Sequence, residues 1–385
     1  MDNQSCIGLE ALREQLLNVT GDPHQSVTLP PHCYSDERFF ELEVNTIFHQ
    51  SWVGIGRADR WQSIGDYVAM DIVGTPVIVV RGSDGQLKGF ANSCRHRGSL
   101  LLNGEGTIRQ IRCPFHCWTY ELDGHLKFST KMEQTINFNP EDYGLHEFRV
   151  DCNNGFAFIC LSHEAPSLDD WLGDFPEIHS NWALDQLVST RVRKFEVNCN
   201  WKNFIEVFNE YYHLPYVHPE SIDGLYASPD QPEQVTGNFT TQFGEAAGNP
   251  ALLSDTQSQA FPVNQQLCDR EKSGVRYSWV YPNMTFAIAP DSLWMYEAYP
   301  LTPNRSCIVQ TVCFPDATTK LPDFDRRAKH YYDRYDLAIN EDIPFLEQQQ
   351  IGLSSRFAQQ GRFSSLEPSI ANFAIWYSDI MLRAL

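Results

Sequence analysis

Two short stretches of this 385-residue chain gather cysteine, histidine and carboxylate side chains at spacings that can bind metal. The first reads CRHRGSLLLNGEGTIRQIRCPFHCWTYELDG: Cys94-x-His96, then sixteen residues, then Cys113-x-x-His116. Two thiols and two imidazoles could form a zinc site, but zinc fingers keep both cysteines on one element and both histidines on another. Here each loop supplies one thiolate and one imidazole, which suits a [2Fe–2S] cluster with cysteines on one iron and histidines on the other. The neutral donors raise its potential above that of an all-cysteine cluster. Pro114 and Gly98 beside the ligands fit tight loops, and Cys117 is expected to be a non-ligand because four places are already filled.

The second stretch, FNEYYHLPYVHPES, places Glu210 and His213 three residues apart and His218 five beyond His213. Glu210 and His213 would share one face of a helix. On a regular helix, however, His218 would be turned roughly 140° away from His213. Pro215 disfavours helix through Leu214, so the chain can turn there and bring His218 back. Two imidazoles and one carboxylate make a facial triad, which leaves open positions on iron(II) for O₂. Taken alone, the same residues could be core or helix-capping side chains.

These residues need a scaffold, and the chain texture supplies two kinds. Residues 36–51 have apolar positions at helical spacing. From Tyr67 to Ala91, β-branched runs alternate with a Ser-Asp-Gly turn, and RVDCNNGFAFICLS (149–162) is a further strand pair around Asn-Asn-Gly. SLDDWLGDFPEI (167–178) reads as a short helix ended by its proline, and marks a boundary. Beyond it come a strand in STRVRKFEVNCNWK, a helix carrying the second stretch, and loops over 225–268 rich in Gly, Ser, Gln, Asn and Pro. Strands resume in VRYSWVYPNMTFAIAP, LWMYEAYPL and SCIVQTVCFP, and helices are expected over 323–351 and 367–384. The fold class is α+β, with an N-terminal helical segment (1–50), an antiparallel β domain (51–165) and a mixed domain (166–385).

Composition narrows the function. Hydrophobic residues at 42%, with 13% aromatics, describe a globular chain. No run approaches the roughly 18 apolar residues of a membrane span. The stretch MDNQSCIGLEALREQLLNVTGDP lacks a basic flank and apolar h-region, so a cytoplasmic protein with reduced cysteines is expected. Forty-nine acids against 29 bases give a net charge of −20, which repels nucleic acid and anionic membranes and favours cationic ligands or basic partners.

The first stretch resembles the Rieske signature, which usually carries glycine where this chain has Cys117. With the second stretch downstream, the chain from about residue 35 onward resembles the α subunit of Rieske non-haem iron oxygenases. That resemblance implies a Rieske domain followed by a helix-grip (START-like) catalytic domain. It also implies one [2Fe–2S] cluster and one Fe(II) per subunit, with NAD(P)H used through a separate flavin or iron–sulfur reductase. The family pattern of acid, two residues, His, four residues, His matches Glu210, His213 and His218. In the family the acid is no iron ligand; it bridges the iron histidine of one subunit and a cluster histidine of the next, in a head-to-tail homotrimer. The usual residue is aspartate, so Glu210 departs from the pattern by one methylene. A third iron ligand is sought in YDLAINEDIPFLEQQQIGL, where Asp342 matches the family's ED…E..Q.G pattern and Glu341 is the runner-up.

The glutamate, YYHLPYVHP and GRFSSLEPSIANFAIWYSDI look similar to the branch acting on choline, betaine and carnitine. That implies hydroxylation or oxidative N-demethylation by a mono- or dioxygenase of a small quaternary ammonium compound, held by cation–π attraction. Phe208, Tyr211, Tyr212, Tyr277, Trp279, Trp294 and Tyr296 are the candidate cage. The alternative substrate is an aromatic acid, for which Arg276 would face a carboxylate. A Rieske electron carrier is the non-enzyme alternative, but such a carrier would stop near residue 165.

Overall fold

The computed structural model describes residues 8–385 apart from 21, 23, 223 and 227. The chain divides into two compact units, Phe48–Pro166, and Met1–Ile47 with Ser167–Leu385.

Phe48–Pro166 is antiparallel β. Its strands are β1 (Trp52–Arg57), β2 (Asp66–Ile72), β3 (Thr75–Arg81), β4 (Leu87–Ala91), β5 (Glu105–Thr107), β6 (Ile111–Arg112), β7 (Thr119–Tyr120), β8 (Leu126–Phe128), β9 (Glu147–Asn153) and β10 (Phe156–Cys160). Seven form one sheet in the order β1-β10-β9-β4-β3-β2-β5, and β6-β7-β8 form a small second sheet. The β2–β3 hairpin turns on Val73-Gly74 (φ 45° and 86°) and the β9–β10 hairpin on Asn154-Gly155 (φ 49° and 76°). Two successive left-handed residues make the primed turn whose twist matches that of the strands. Asn-Gly is well suited to it; Val73 is an uncommon residue there, because its branched side chain crowds the left-handed backbone. Ile78 and Phe90 of the large sheet share a core with Ile111 and Tyr120 of the small one and with Trp118, just before β7. The loops carrying the Cys/His pairs are thereby fixed from both sheets.

The other unit is built on a six-stranded antiparallel sheet. Its strands, β11 (Leu187–Val197), β12 (Phe239–Glu245), β13 (Gly274–Val280), β14 (Met284–Ala289), β15 (Ser292–Thr302) and β16 (Arg305–Pro315), take the order β11-β16-β15-β14-β13-β12. Its helices are α1 (Leu9–Leu17), α2 (His32–Ser35), α3 (Glu37–Glu43), α4 (Leu168–Leu172), α5 (Phe175–Ile178), α6 (Trp201–Phe208), α7 (Leu214–Val217), α8 (Asp316–Thr319), α9 (Phe324–Leu353) and α10 (Pro368–Ala384). β13 and β14 are buried throughout. α6 packs on β14–β16 and α10 on β12. Among the described residues, no helix is long and apolar enough to cross a membrane.

Three local expectations need correction. Residues 36–51 begin as α-helix, capped by the Asp36 carboxylate on the N–H of Arg38 at 2.9 Å, but widen into a π-turn over Val44–Phe48. The proline of SLDDWLGDFPEI does not end a helix: α4 stops at Gly173, φ 55°, and Pro176 sits in the first turn of α5. A first turn makes no use of the N–H that proline lacks. The stretch 225–268 is not all loop, since it contains β12.

The α6 helix is held by a buried polar knot. Glu43 accepts from Trp201 Nε1 at 2.6 Å and from Lys202 Nζ at 2.5 Å, and Tyr377 of α10 donates to the same carboxylate. Lys202 and Glu43 are both fully buried, so each charge depends on the other. The knot ties α3, α6 and α10 together and fixes where α6 begins.

Candidate metal centres and the adjoining cavity

Cys94 follows β4 and Cys113 follows β6. Each loop is closed across its base, Cys94 N–H donating to Ser99 O and Cys113 N–H to Trp118 O, both at 2.8 Å. Gly98 takes φ 72° inside the first loop, and Cys117 takes φ 58° in the second. Glycine adopts that left-handed conformation without steric cost, so the backbone explains why glycine is usual at the position of Cys117. Cys117 also lines a surface hollow with Gln110, Arg112 and Thr119.

Both Cys94 and Cys113 are buried. Burial opposes ionisation of Cys113, but the N–H groups of His116 and Phe115 donate toward its sulfur and hold its pKa below the usual thiol value. Burial dominates at Cys94 and raises its pKa. The rings of His96 and His116 lie edge to face with centroids 4.7 Å apart, and His96 stacks on Trp118 at 5.0 Å. His96 Nδ1 is buried without a hydrogen-bond partner. A buried unpartnered imidazole nitrogen is costly unless something takes up its lone pair or proton. With the two thiols and the second imidazole, the residues present fit a two-iron cluster.

The second centre is assembled by a helix end. α6 stops at Phe208 because the Asn209 side chain donates to Ile205 O at 2.7 Å, the carbonyl that a continuing helix would have used. Glu210 then organises the turn: its carboxylate accepts from the backbone N–H of Tyr212 and of His213, the latter at 3.1 Å. Pro215 lies in the first turn of α7. The break therefore precedes Glu210, and proline starts the next turn rather than interrupting a helix. His218 follows α7 and is buried.

α9 supplies the carboxylates. One Asp342 oxygen lies 2.9 Å from His218 Nε2 and 3.6 Å from His213 Nε2. Donor atoms of His213, His218 and Asp342 all fall within 4.8 Å of one another. That same oxygen, Oδ1, is buried and makes no hydrogen bond despite the short approach, so the three side chains converge on a common point. The other ring nitrogens are occupied: His213 Nδ1 pairs with Glu210, and His218 Nδ1 with Glu341 Oε2 at 2.7 Å. Ser221 also donates to Glu341, at 2.6 Å. Carboxylates on Nδ1 fix the tautomer that turns the Nε2 lone pairs inward, the usual outer support of a metal-bound histidine. Burial lowers the pKa of His213, but the hydrogen bond and charge of Glu210, with Asp342 and Glu367, outweigh it and raise it. The set fits a divalent iron, and Glu341 lies one layer behind Asp342.

A cavity opens from this triad between α6, α9 and the sheet, lined by Phe208, Tyr211, Tyr277, Trp294, Tyr296 and Arg334. Phe208 meets Tyr296 at 5.0 Å and Tyr277 at 5.4 Å, and Tyr277 meets Trp294 at 6.2 Å, each edge to face. Three expected residues lie elsewhere. Tyr212 is half exposed beside Tyr216, because the turn at Glu210 rotates it outward. Trp279 stacks on Phe373 of α10 at 3.9 Å and donates to Pro282 O, which makes it core. Arg276 is engaged by Glu233 at 2.5 Å. Arg334 was missed. It stands two helical turns before Asp342 on α9 and lines the same cavity.

Residues 178–383 match the ring hydroxylating alpha subunit (catalytic domain) family, and residues 51–139 match the Rieske [2Fe-2S] domain. The glycine betaine monooxygenase oxygenase subunit of Pseudomonas aeruginosa is 28% identical, over 98% of this chain and 94% of that one. The carnitine monooxygenase oxygenase subunit of Escherichia coli is 28% identical, over 90% and 89%. A quaternary ammonium Rieske monooxygenase, whose structure bears on carnitine oxidation and inter-subunit electron transfer, superposes with a TM-score of 0.80. It covers 96% of this chain and 98% of its own, at 24% identity. The catalytic-domain match alone spans more than half of the chain, with the Rieske match before it. The chain thus belongs to the α subunits of Rieske-type ring-hydroxylating oxygenases, the components that carry electrons from a separate reductase through a [2Fe–2S] cluster to a mononuclear iron.

Proposed function

We propose that this oxygenase component acts on a small quaternary ammonium compound. The observation that carries the reading is the box of Phe208, Tyr277, Trp294 and Tyr296 in the cavity that also holds His213, His218 and Asp342. Ring faces attract a cation whose charge is spread over methyl groups, and attraction is stronger away from water. Relatives named for glycine betaine and carnitine support the same choice.

In this reading Cys94, His96, Cys113 and His116 hold the cluster, and His213, His218 and Asp342 hold the iron. When bound, the cluster supplies single electrons at a raised potential and the iron supplies O₂ activation. The chain's own work is positional. Glu210 and Glu341 keep protons on the Nδ1 atoms. The aromatic box turns an N-methyl toward the triad, and its apolar walls exclude water. Putting one oxygen atom into a C–H bond and reducing the other to water consumes two electrons and two protons. A hydroxylated N-methyl then breaks at C–N, giving formaldehyde, a tertiary amine and a proton.

The assembly is a head-to-tail ring of three, a heterologous contact that closes by cyclic symmetry. His96 or His116 of one subunit approaches His213 of the next, with Glu210 between. A carboxylate has about four acceptor sites, so Glu210 can serve its own backbone and still reach a neighbour.

The test is turnover of the holoenzyme with a generic reductase and NADH. Glycine betaine, L-carnitine and choline are compared with simple aromatic acids. Formaldehyde or another oxidised product from a quaternary ammonium compound is expected. Ring-hydroxylated product from the aromatic acids alone would overturn the reading.

A further inference from the structure

Arg334 is buried in the wall of the cavity beside the triad. Its guanidinium lies over Trp294 at 5.3 Å and Tyr335 at 5.6 Å. Among the described residues its one polar contact is Nη2 to the Tyr226 hydroxyl, at 2.7 Å. That hydroxyl also meets Tyr277, at 3.2 Å, and lies 3.2 Å from Pro250 O. Arg334 Nε is buried with no partner. Among the described residues no carboxylate pairs with it.

Other buried cations in the chain behave differently. Lys202 is paired with Glu43 at 2.5 Å, Arg276 with Glu233 at 2.5 Å and Arg57 with Asp59 at 3.5 Å. A buried charge is costly unless it is paired and hydrogen-bonded, and a guanidinium is the side chain best shaped to take a carboxylate on two parallel N–H groups. An unpaired one in a cavity wall is a counter-ion site awaiting its anion.

Position says which anion. Arg334, Ala338 and Asp342 fall at successive four-residue steps of α9 and all three line the cavity. Arg334 thus stands about 12 Å along the helix axis from Asp342. The cavity offers a fixed positive charge toward one end, the reacting centre at the other, and the aromatic box beside them. A lone cation such as choline would find the box but would also meet the guanidinium's repulsion. A zwitterion satisfies both, with ammonium on the rings and carboxylate on Arg334.

We infer that Arg334 anchors a substrate carboxylate and that the natural substrate is a carboxylate-bearing quaternary ammonium zwitterion. This rests on the quaternary ammonium reading above. Arg334 acts in binding and specificity.

The experiment is calorimetric binding to the metal-loaded enzyme without reductase, so that no turnover occurs. L-carnitine is compared with its amide, which keeps the ammonium but not the carboxylate, and with choline. Wild type should bind carnitine well above the amide and choline. Arg334→Gln should weaken carnitine by between about 10- and 100-fold and leave the amide nearly unchanged. Parallel weakening of both would show a merely structural role and overturn the inference. Should the glutamine variant fail to fold, Arg334→Lys keeps the charge but loses the fork; selective weakening of carnitine supports the anchor, and parallel weakening overturns it. Choline bound as tightly as carnitine, with both indifferent to Arg334, would sink the anchor and leave the quaternary ammonium reading standing. Binding of benzoate but of no quaternary ammonium compound would instead sink that reading and the zwitterion with it.

Discussion

At the scale of single residues, the two kinds of centre depend on different atoms and should fail separately. Cys113→Ser should abolish the cluster's visible absorption. Cys117→Ala should retain it at wild-type iron content, because its left-handed backbone and outward hollow set Cys117 apart from the four donors. Loss of colour in the second variant would make Cys117 a ligand. Glu206 gives a pH signature. Burial pushes its carboxyl up to about 7 from the usual 4.5, against the Tyr34 hydrogen bond and the Lys202 charge. Between those values the folded chain keeps a proton that the unfolded chain has released. The stability tied to that proton is full below the unfolded value and is lost as pH rises through the folded one. Glu206→Gln, always neutral, should therefore melt higher than wild type at pH 8, by on the order of 2–3 kcal/mol. The gap should close toward pH 4.5; thermal melts across that range would show a constant gap if the carboxyl were not perturbed. The six sulfur and imidazole donors were readable from the sequence because metal chemistry dictates residue type and spacing. Arg334 was not, since nothing local distinguishes an arginine whose counter-ion is missing from one on a solvated helix face.

At the scale of elements, α9 is the ruler of the site. Ala338 lies one turn from Arg334 and one turn from Asp342, and all three line the cavity. Ala338→Leu should fill the space between anchor and triad, weakening substrate binding by about tenfold or more while leaving iron content unchanged. Wild-type affinity in that variant would place the substrate elsewhere. The strands rich in β-branched and aromatic residues were legible, and so were the two long helices. β12 was not, because FTTQFGE lacks an apolar alternation. It is nonetheless buried, since Thr241 bonds Ser278 at 2.9 Å and Tyr277 O at 3.0 Å, and Gln242 bonds Ser369 at 2.9 Å. Polar residues that find such partners only after folding look like loop beforehand. The helix break was misplaced for a related reason. Asn209 ends α6 through its side chain and Glu210 builds the turn, while Pro215, the conspicuous residue, begins the next element.

At the scale of the whole molecule, electrons in the proposed ring of three cross between subunits. Glu210→Gln should keep both metals and the assembly but slow reoxidation of the reduced cluster in the presence of substrate. Mixing a cluster-less chain (Cys113→Ser) with an iron-less chain (His213→Ala) should restore turnover that neither has alone. An inactive mixture with demonstrated subunit exchange would rule out the cross-subunit route. Beneath assembly and substrate lies the claim that one chain carries two separate metal centres, and iron analysis tests it most directly. The purified holoprotein is assayed for iron before and after mild chelation while its visible spectrum is recorded. About three irons per chain are expected, falling to about two with the cluster spectrum intact, and chelation of a His218→Ala variant should remove nothing further. About two irons at the start, unchanged by chelation, would contradict it and leave an electron carrier.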